Sequence, residues 1–296
     1  MLYLWRTVFK IIEKLNKKTL LTRASVGAVY IAIILLGIFG GGFSFLAVFG
    51  IITGIGLFEF YRMVEKNTTH AISKVFNIAS GMLIFLAVFL DLEGITQYAL
   101  PVVGLLYLLI VVLNAVCIPR DDIFHSTIYS VFGQMYVTMP LSLLMFIRYQ
   151  FSYTLVGYYY AFILALFVFI WINDTGAYIV GSRFGKHKLN KRISPKKTIE
   201  GFVGGIVFTV LSSFAFIHFV PVYPIDSYLF WASFAIIVSL FATLGDLFES
   251  LIKRTCNVKD SGDIMPGHGG ILDRIDSLLI VVPAAYLYLL VFFGTA

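Results

Sequence analysis

Four aspartates stand where a membrane-spanning helix would ordinarily carry none. Asp174 lies in Trp171-Ile-Asn-Asp-Thr-Gly-Ala-Tyr178, Asp246 in Leu244-Gly-Asp-Leu247, and Asp273 and Asp276 form Asp-Arg-Ile-Asp at the start of an apolar C-terminal stretch. Ionisable groups inside or at the ends of spans are costly and therefore mark functional positions. Carboxylates delivered to one depth are what a divalent cation requires of hard oxygen ligands. Helix capping or an interhelical hydrogen bond accounts equally well for any single one; four at one level favour a metal. Helical spacing groups them further. Asp246, Ser250 and Lys253 fall at i, i+4 and i+7 on one face, Asp273 and Asp276 at i and i+3 on another. Asp174, Ala177, Tyr178 and Gly181 line a third.

Two polar segments accompany these acids. Residues 182–198 carry Arg183, Lys186, Lys188, Lys191, Arg192, Lys196 and Lys197, with no acid until Glu200. Ser194-Pro195 reads as a helix start, Ser as N-cap and Pro at N1. That reading places Lys196 and Lys197 in a first turn, where the macrodipole favours anions. A bound phosphate or polyphosphate would reconcile cations with such a position, although a basic cytoplasmic loop also serves topology alone. Gly201 and Gly205 form a small-xxx-small pair suited to close helix packing. The second segment, roughly 250–270, holds Lys253, Arg254, Lys259 and Asp260 and closes with Pro266-Gly-His-Gly-Gly270. Its glycines allow successive backbone N–H groups to converge on an anion. His268 stands alone among them, immediately before two carboxylates.

The elements that must hold these residues follow from composition. The chain has 296 residues, 59% hydrophobic and 13% charged, with a mean hydropathy of +0.92. Soluble chains are about 45–50% apolar and about 25% charged, so a soluble globular enzyme is excluded. Disordered, collagenous and disulfide-stapled classes fail as well, and the two cysteines are expected as free thiols on the reducing side. What remains is an all-α polytopic integral membrane protein. Nine spans are expected, near 24–39, 43–61, 73–90, 95–117, 126–147, 155–181, 199–220, 227–249 and 271–293. With nine, every Lys and Arg except Arg148 falls on one side, which makes the N-terminus cytoplasmic. Residues 1–22 read as a cytoplasmic amphipathic segment on the lipid surface, 23–150 as spans one to five, and 151–296 as spans six to nine with both polar loops. Chemistry is expected in the last region. The net charge of +6 then reflects orientation and phosphate handling, and requires no nucleic acid.

Ser250-x-x-Lys253-Arg254, Lys259-Asp260, Pro266-Gly267-His268-Gly269-Gly270 and Asp273-Arg274-x-Asp276 together resemble the signature of the phosphatidate cytidylyltransferases, or CDP-diacylglycerol synthases. Asn173-Asp174-Thr175, Phe184-Gly185-Lys186 and Ser194-Pro-Lys-Lys-Thr198 resemble upstream blocks of the same family, so the likeness covers roughly residues 171–277. Met265 stands where the family usually has Leu, Ile or Phe. The resemblance implies transfer of CMP from CTP to phosphatidate, giving CDP-diacylglycerol and pyrophosphate, in a bacterial-type inner membrane with the active site facing the cytoplasm. It implies Mg²⁺, leaves a further monovalent cation open, and suggests a homodimer among membrane lipids. On this reading Asp246 and Asp273 hold the cation, with Asp174 and Asp276 as further ligands or partners. Lys253, Arg254, Lys259 and Arg274, with Lys196 and Lys197, neutralise phosphates. His268 orients a phosphate or protonates product, Asp260 joins the catalytic group, and Ser194, Ser250, Gly269 and Gly270 bind substrate. Two rivals remain: a related CTP-dependent enzyme acting on an isoprenoid lipid, and an ion-coupled transporter, which would place its carboxylates near the midplane and show an inverted repeat. A membrane scaffold gives no reason for so dense a polar signature.

Overall fold

A computed structural model describes residues 24–65, 73–118, 122–151, 160–220, 227–265 and 269–294. The expected surface helix at 1–22 and His268 lie outside the described residues. Within them the chain is a bundle of apolar helices: α1 (Ala24–Phe39), α2 (Gly42–Glu65), α3 (Lys74–Leu92), α4 (Ala99–Cys117), α5 (Ile123–Gly133), α6 (Met139–Gln150), α7 (Ala161–Phe184), α8 (Ile199–Phe219), α9 (Tyr228–Thr255) and α10 (Leu272–Phe293). A π-helical segment, Gln134–Thr138, joins α5 to α6, so the two form one span, Ile123–Gln150. Among the described residues eight helices are long and apolar enough to cross a membrane, and α1 is a shorter apolar helix. These nine correspond one to one with the expected spans.

The joint between the first two spans is a true break. Gly41 takes φ +92°, a left-handed conformation that suits glycine, and Ser44 Oγ turns back to donate to the Leu36 carbonyl at 2.9 Å. The π-helical segment serves a buried polar network: Gln134 Nε2 donates to the Asn77 carbonyl at 2.7 Å, and the Tyr107 hydroxyl donates to Asn77 Oδ1 at 3.0 Å. Such single π turns commonly sit near functional positions. Here Tyr136 is turned toward Phe248 of α9, ring centroids 5.5 Å apart.

Close backbone approach sets the geometry of the C-terminal helices. A Cβ on Gly201 would lie 2.8 Å from the Ala177 carbonyl, and one on Gly205 2.5 Å from Asn173 Oδ1, so α8 packs directly on α7 as the small-residue spacing predicts. A Cβ on Gly245 would meet the Asp276 carbonyl at 2.8 Å, which draws α9 against α10 beside Asp246. Aromatic packing of Phe162, Phe169, Trp231 and Phe234, all buried, fills the interior where α7 and α9 meet.

Two expectations need correction. The segment before α8 is not a helix start at Ser194. Lys188–Asn190 (β1) and Ser194–Thr198 (β2) form an antiparallel hairpin, and α8 begins only after Thr198, whose hydroxyl accepts the Gly201 N–H at 3.2 Å. Thr198 is the N-cap because the Asn190 side chain closes a turn, accepting from the Arg192 and Ile193 N–H groups at 3.1 Å each; this local bonding holds the preceding residues extended. Ser194, Lys196 and Lys197 therefore sit on a strand, and the helix-dipole argument for the lysines does not apply. The second polar segment also starts later than expected. α9 continues through Ser250 and Lys253 to Thr255, because a face carrying the Glu249–Lys253 pair at i, i+4 sustains the helix after its apolar stripe ends.

Candidate active site

The ends of α7, α9 and β2 and the start of α8 enclose a cavity of about 390 Å³, lined in part by Asp174, Thr243 and Asp246 on one side and by Lys196, Lys197 and Thr198 on the other. That size lies in the range of small-molecule sites. Lys197 Nζ contacts Asp246 Oδ2 at 2.6 Å, and the Ser250 hydroxyl leans on Asp246 Oδ1 at 3.4 Å. The hairpin is what carries the lysines over the cavity. Glu200 pins its other arm, accepting from the Lys186 N–H at 3.0 Å and meeting His187 Nδ1 at 2.6 Å.

A second cluster lies behind the first. Lys253 is turned away from Asp246, contacting Glu249 and bonding Asp273 Oδ1 at 2.7 Å. Asp273 also accepts the Ser261 N–H at 3.1 Å and the Gly270 N–H at 2.8 Å. Gly269 takes φ +83°, and a Cβ there would lie 2.5 Å from Asp273 Oδ2. Both glycines thus have a structural reason beside Asp273. Asp276 connects the two clusters, since it feels the charges of Asp246, Asp174 and Lys253. Arg274 is exposed within charge reach of Asp174. Arg254 and Lys259 are exposed and enter neither cluster among the described residues, whereas Asp260, also exposed, borders the second beside Gly269.

The carboxylates at this end are the chain's candidate donors for a divalent cation. Among the described residues no three His, Cys, Asp or Glu side chains stand together as a ready-made cage. Asp174, Asp246 and Asp276 are nonetheless within one another's electrostatic reach, which is the repulsion a cation relieves. Mg²⁺ commonly takes only one or two protein carboxylates and completes its shell with substrate phosphates and water. Asp174 and Asp246, which line the cavity together, fit that pattern. Asp273 fits it less well, because both its oxygens already hold Lys253 and the loop backbone.

Sequence reasoning placed no functional residue in the first 150 positions. The structure adds Glu59 of α2, fully buried and bonded to the Ser261–Leu272 loop. It also adds Glu249, fully buried and paired with the Lys253 ammonium. Glu59 was in principle visible as an acid in the apolar run Gly-Leu-Phe-Glu-Phe-Tyr.

Comparison with known proteins identifies the family. The profile of the cytidylyltransferase family matches residues 21–292. A phosphatidate cytidylyltransferase of Bacillus subtilis is 38% identical over 204 residues, covering 69% of this chain and 72% of that protein. One of Staphylococcus aureus is 49% identical over 122 residues, 41% of this chain and 46% of that protein. One of Staphylococcus saprophyticus is 51% identical over 122 residues, with the same coverage. The chain belongs to the cytidylyltransferase family.

Proposed function

We propose that this membrane cytidylyltransferase moves CMP from CTP to phosphatidate, and that the reaction takes place where the hairpin covers Asp174 and Asp246. One observation carries the reading: two carboxylates and two lysines face one cavity at the end of the bundle, where a soluble nucleotide and a lipid headgroup can meet. A phosphatidate phosphate oxygen attacks the α-phosphorus of CTP, a new P–O bond forms, and the bond to the β-phosphate breaks with its electron pair leaving on pyrophosphate. The attacking oxygen is already anionic, so the chain needs no strong base; it must position two anions and lower their repulsion.

Lys196 and Lys197 supply positive charge on the hairpin side, with Arg274 at the start of α10. A phosphate bound by Lys197 would take the place of the Lys197–Asp246 contact and free the Asp246 carboxylate. Asp174, Asp246 and Asp276 are the residues we assign as those that would hold Mg²⁺. A bound Mg²⁺ supplies charge neutralisation of the phosphates as the bond order shifts. Lys253 holds Asp273 and the loop in place. Arg254 and Lys259, both exposed, serve the approach of the anions, with Asp260 beside them. Ser194 shapes the hairpin and Ser250 orients Asp246. Gly269 and Gly270 let the loop close on Asp273. For His268 we keep the role the motif suggests, orienting a phosphate or protonating product.

The one-sided distribution of Lys and Arg supports a cytoplasmic site in a bacterial inner membrane, and the family resemblance supports a homodimer. Purified protein given α-phosphate-labelled CTP, phosphatidate and Mg²⁺ should yield a labelled lipid and unlabelled pyrophosphate in equal amounts, and chelation should stop both. Label transferred to an isoprenoid phosphate but not to phosphatidate would overturn the substrate assignment. Solute uptake into proteoliposomes without labelled lipid would overturn the reaction class.

A further inference from the structure

A fully buried carboxylate near the site belongs to α2, in the half of the chain whose sequence suggests no chemistry. Glu59 is 0% exposed. Its Oε2 accepts the Leu272 N–H at 2.8 Å and the Ser261 hydroxyl at 3.3 Å, and its Oε1 accepts the Ile271 N–H at 3.1 Å. Leu272 opens α10, and Ile271, its N-cap residue, makes no side-chain cap of its own. The first N–H groups of a helix need an acceptor, ordinarily a polar side chain just before the helix. Here the acceptor comes from a helix more than two hundred residues away, and its charge sits at the positive end of the α10 dipole.

Ser261 lies at the other end of the same loop. One carboxylate thus fastens both ends, and Ser261 joins it to Asp273, giving its hydroxyl to Glu59 and its N–H to Asp273. The fit leaves no room for side chains. A Cβ on Gly262 would lie 2.4 Å from Glu59 Oε1, and one on Gly270 2.3 Å from Oε2. A serine or aspartate at position 271 would cap α10 equally well without touching α2. A cap supplied from α2 does something further: it fixes where the loop stands relative to the rest of the bundle.

We propose that Glu59 is a positioning residue for cytidylyl transfer, which ties both ends of the signature loop to α2 and so sets the depth at which Asp273, Arg274 and Asp276 face the phosphates. The inference rests on the functional reading above. Glu59→Gln keeps the size but turns an amide NH₂ toward groups that are all donors, so at least one bond is lost. Its kcat should fall roughly 10–100-fold, the usual loss when a partner that orients a reacting group is removed, with KM for CTP little changed. Glu59→Asp should recover part of that loss. Gly262→Ala, which displaces the carboxylate without altering its charge, should lower kcat in the same direction.

Rates are to be expressed per folded molecule, with thermal midpoints measured alongside. Wild-type kcat in folded Glu59→Gln, or midpoints that fall in both variants while kcat per folded molecule holds, would overturn the proposal and leave a purely structural role. Should Glu59→Gln fail to fold, Gly262→Ala and Ser261→Ala decide by the same criterion. An inactive wild type overturns the functional reading and the proposal with it; an active wild type beside equally active variants overturns the proposal alone.

Discussion

The two ends of the bundle use the same residue types to different effect. At the end away from the cavity, Asp91 accepts from the Thr96 hydroxyl at 2.5 Å and from the Ala99 and Leu100 N–H groups at 3.0 and 2.8 Å, closing the α3–α4 connection on itself. Arg148, buried there, donates to the Ile38 carbonyl at 3.0 Å and lies over the Phe45 ring, 5.2 Å from its centroid. The Tyr149 hydroxyl meets Glu93. Asp91 is saturated by neighbours within nine residues. At the other end Lys197 reaches Asp246 and Lys253 reaches Asp273, while Asp174 and Asp246 still face open space. A carboxylate held by its own connection is a staple. One held by distant elements around a cavity is available to a ligand.

Substitutions at the two ends should therefore part company. The largest effect is expected at Asp246→Asn: kcat for labelled-lipid formation should fall roughly 10²–10³-fold, as when one preorganised charge partner of a transition state is removed. The thermal midpoint should barely move, because the Lys197–Asp246 pair is partly exposed and such pairs contribute little stability. Activity within a few-fold of wild type would show that Asp246 is a staple too. Next in size, Lys196→Ala combined with Lys197→Ala should raise KM for CTP about tenfold, or about 1.4 kcal/mol of binding, with a smaller change in kcat. Unchanged kinetics would leave the hairpin's charge a topological feature only. The smallest catalytic effect belongs to Asp91→Asn, which should leave kcat and KM unaltered and lower the thermal midpoint by a few degrees through loss of capping bonds. A tenfold loss of kcat in that variant would break the contrast between the ends.

Of the far end the sequence showed Arg148 alone, because charge asymmetry belongs to the chain while the carbonyl that holds this side chain lies on α1. Arg148 stood out as the one cation on its side, and burial against α1 explains how it is tolerated. The spans were legible for a similar reason, since each is a continuous apolar run whose length is fixed by the membrane. Other features were not. The hairpin at 188–198 was hidden because Ser-Pro is a common helix opening, and only the Asn190 turn and the Thr198 cap decide against it. The last turns of α9 were hidden because hydropathy falls there while the helix continues on paired charges. The π-helical segment exists for a network between α3, α4 and α5, and no periodicity along one helix reports such a network.

The sequence by itself determined the solvent of this protein, the order of its apolar helices, and the motif that places it among cytidylyltransferases, because composition, charge asymmetry and residue spacing are properties of the chain. Only the tertiary structure decided which charges face a cavity and which are held. Asp273, grouped by spacing with Asp276, is engaged by Lys253 and the loop, while Asp276 shares a field with Asp174 and Asp246 on two other helices. Glu59 gains its place at the signature loop from the packing of α2 against α10. Such pairings depend on how closely glycine-bearing faces approach, and that distance is set by the whole bundle.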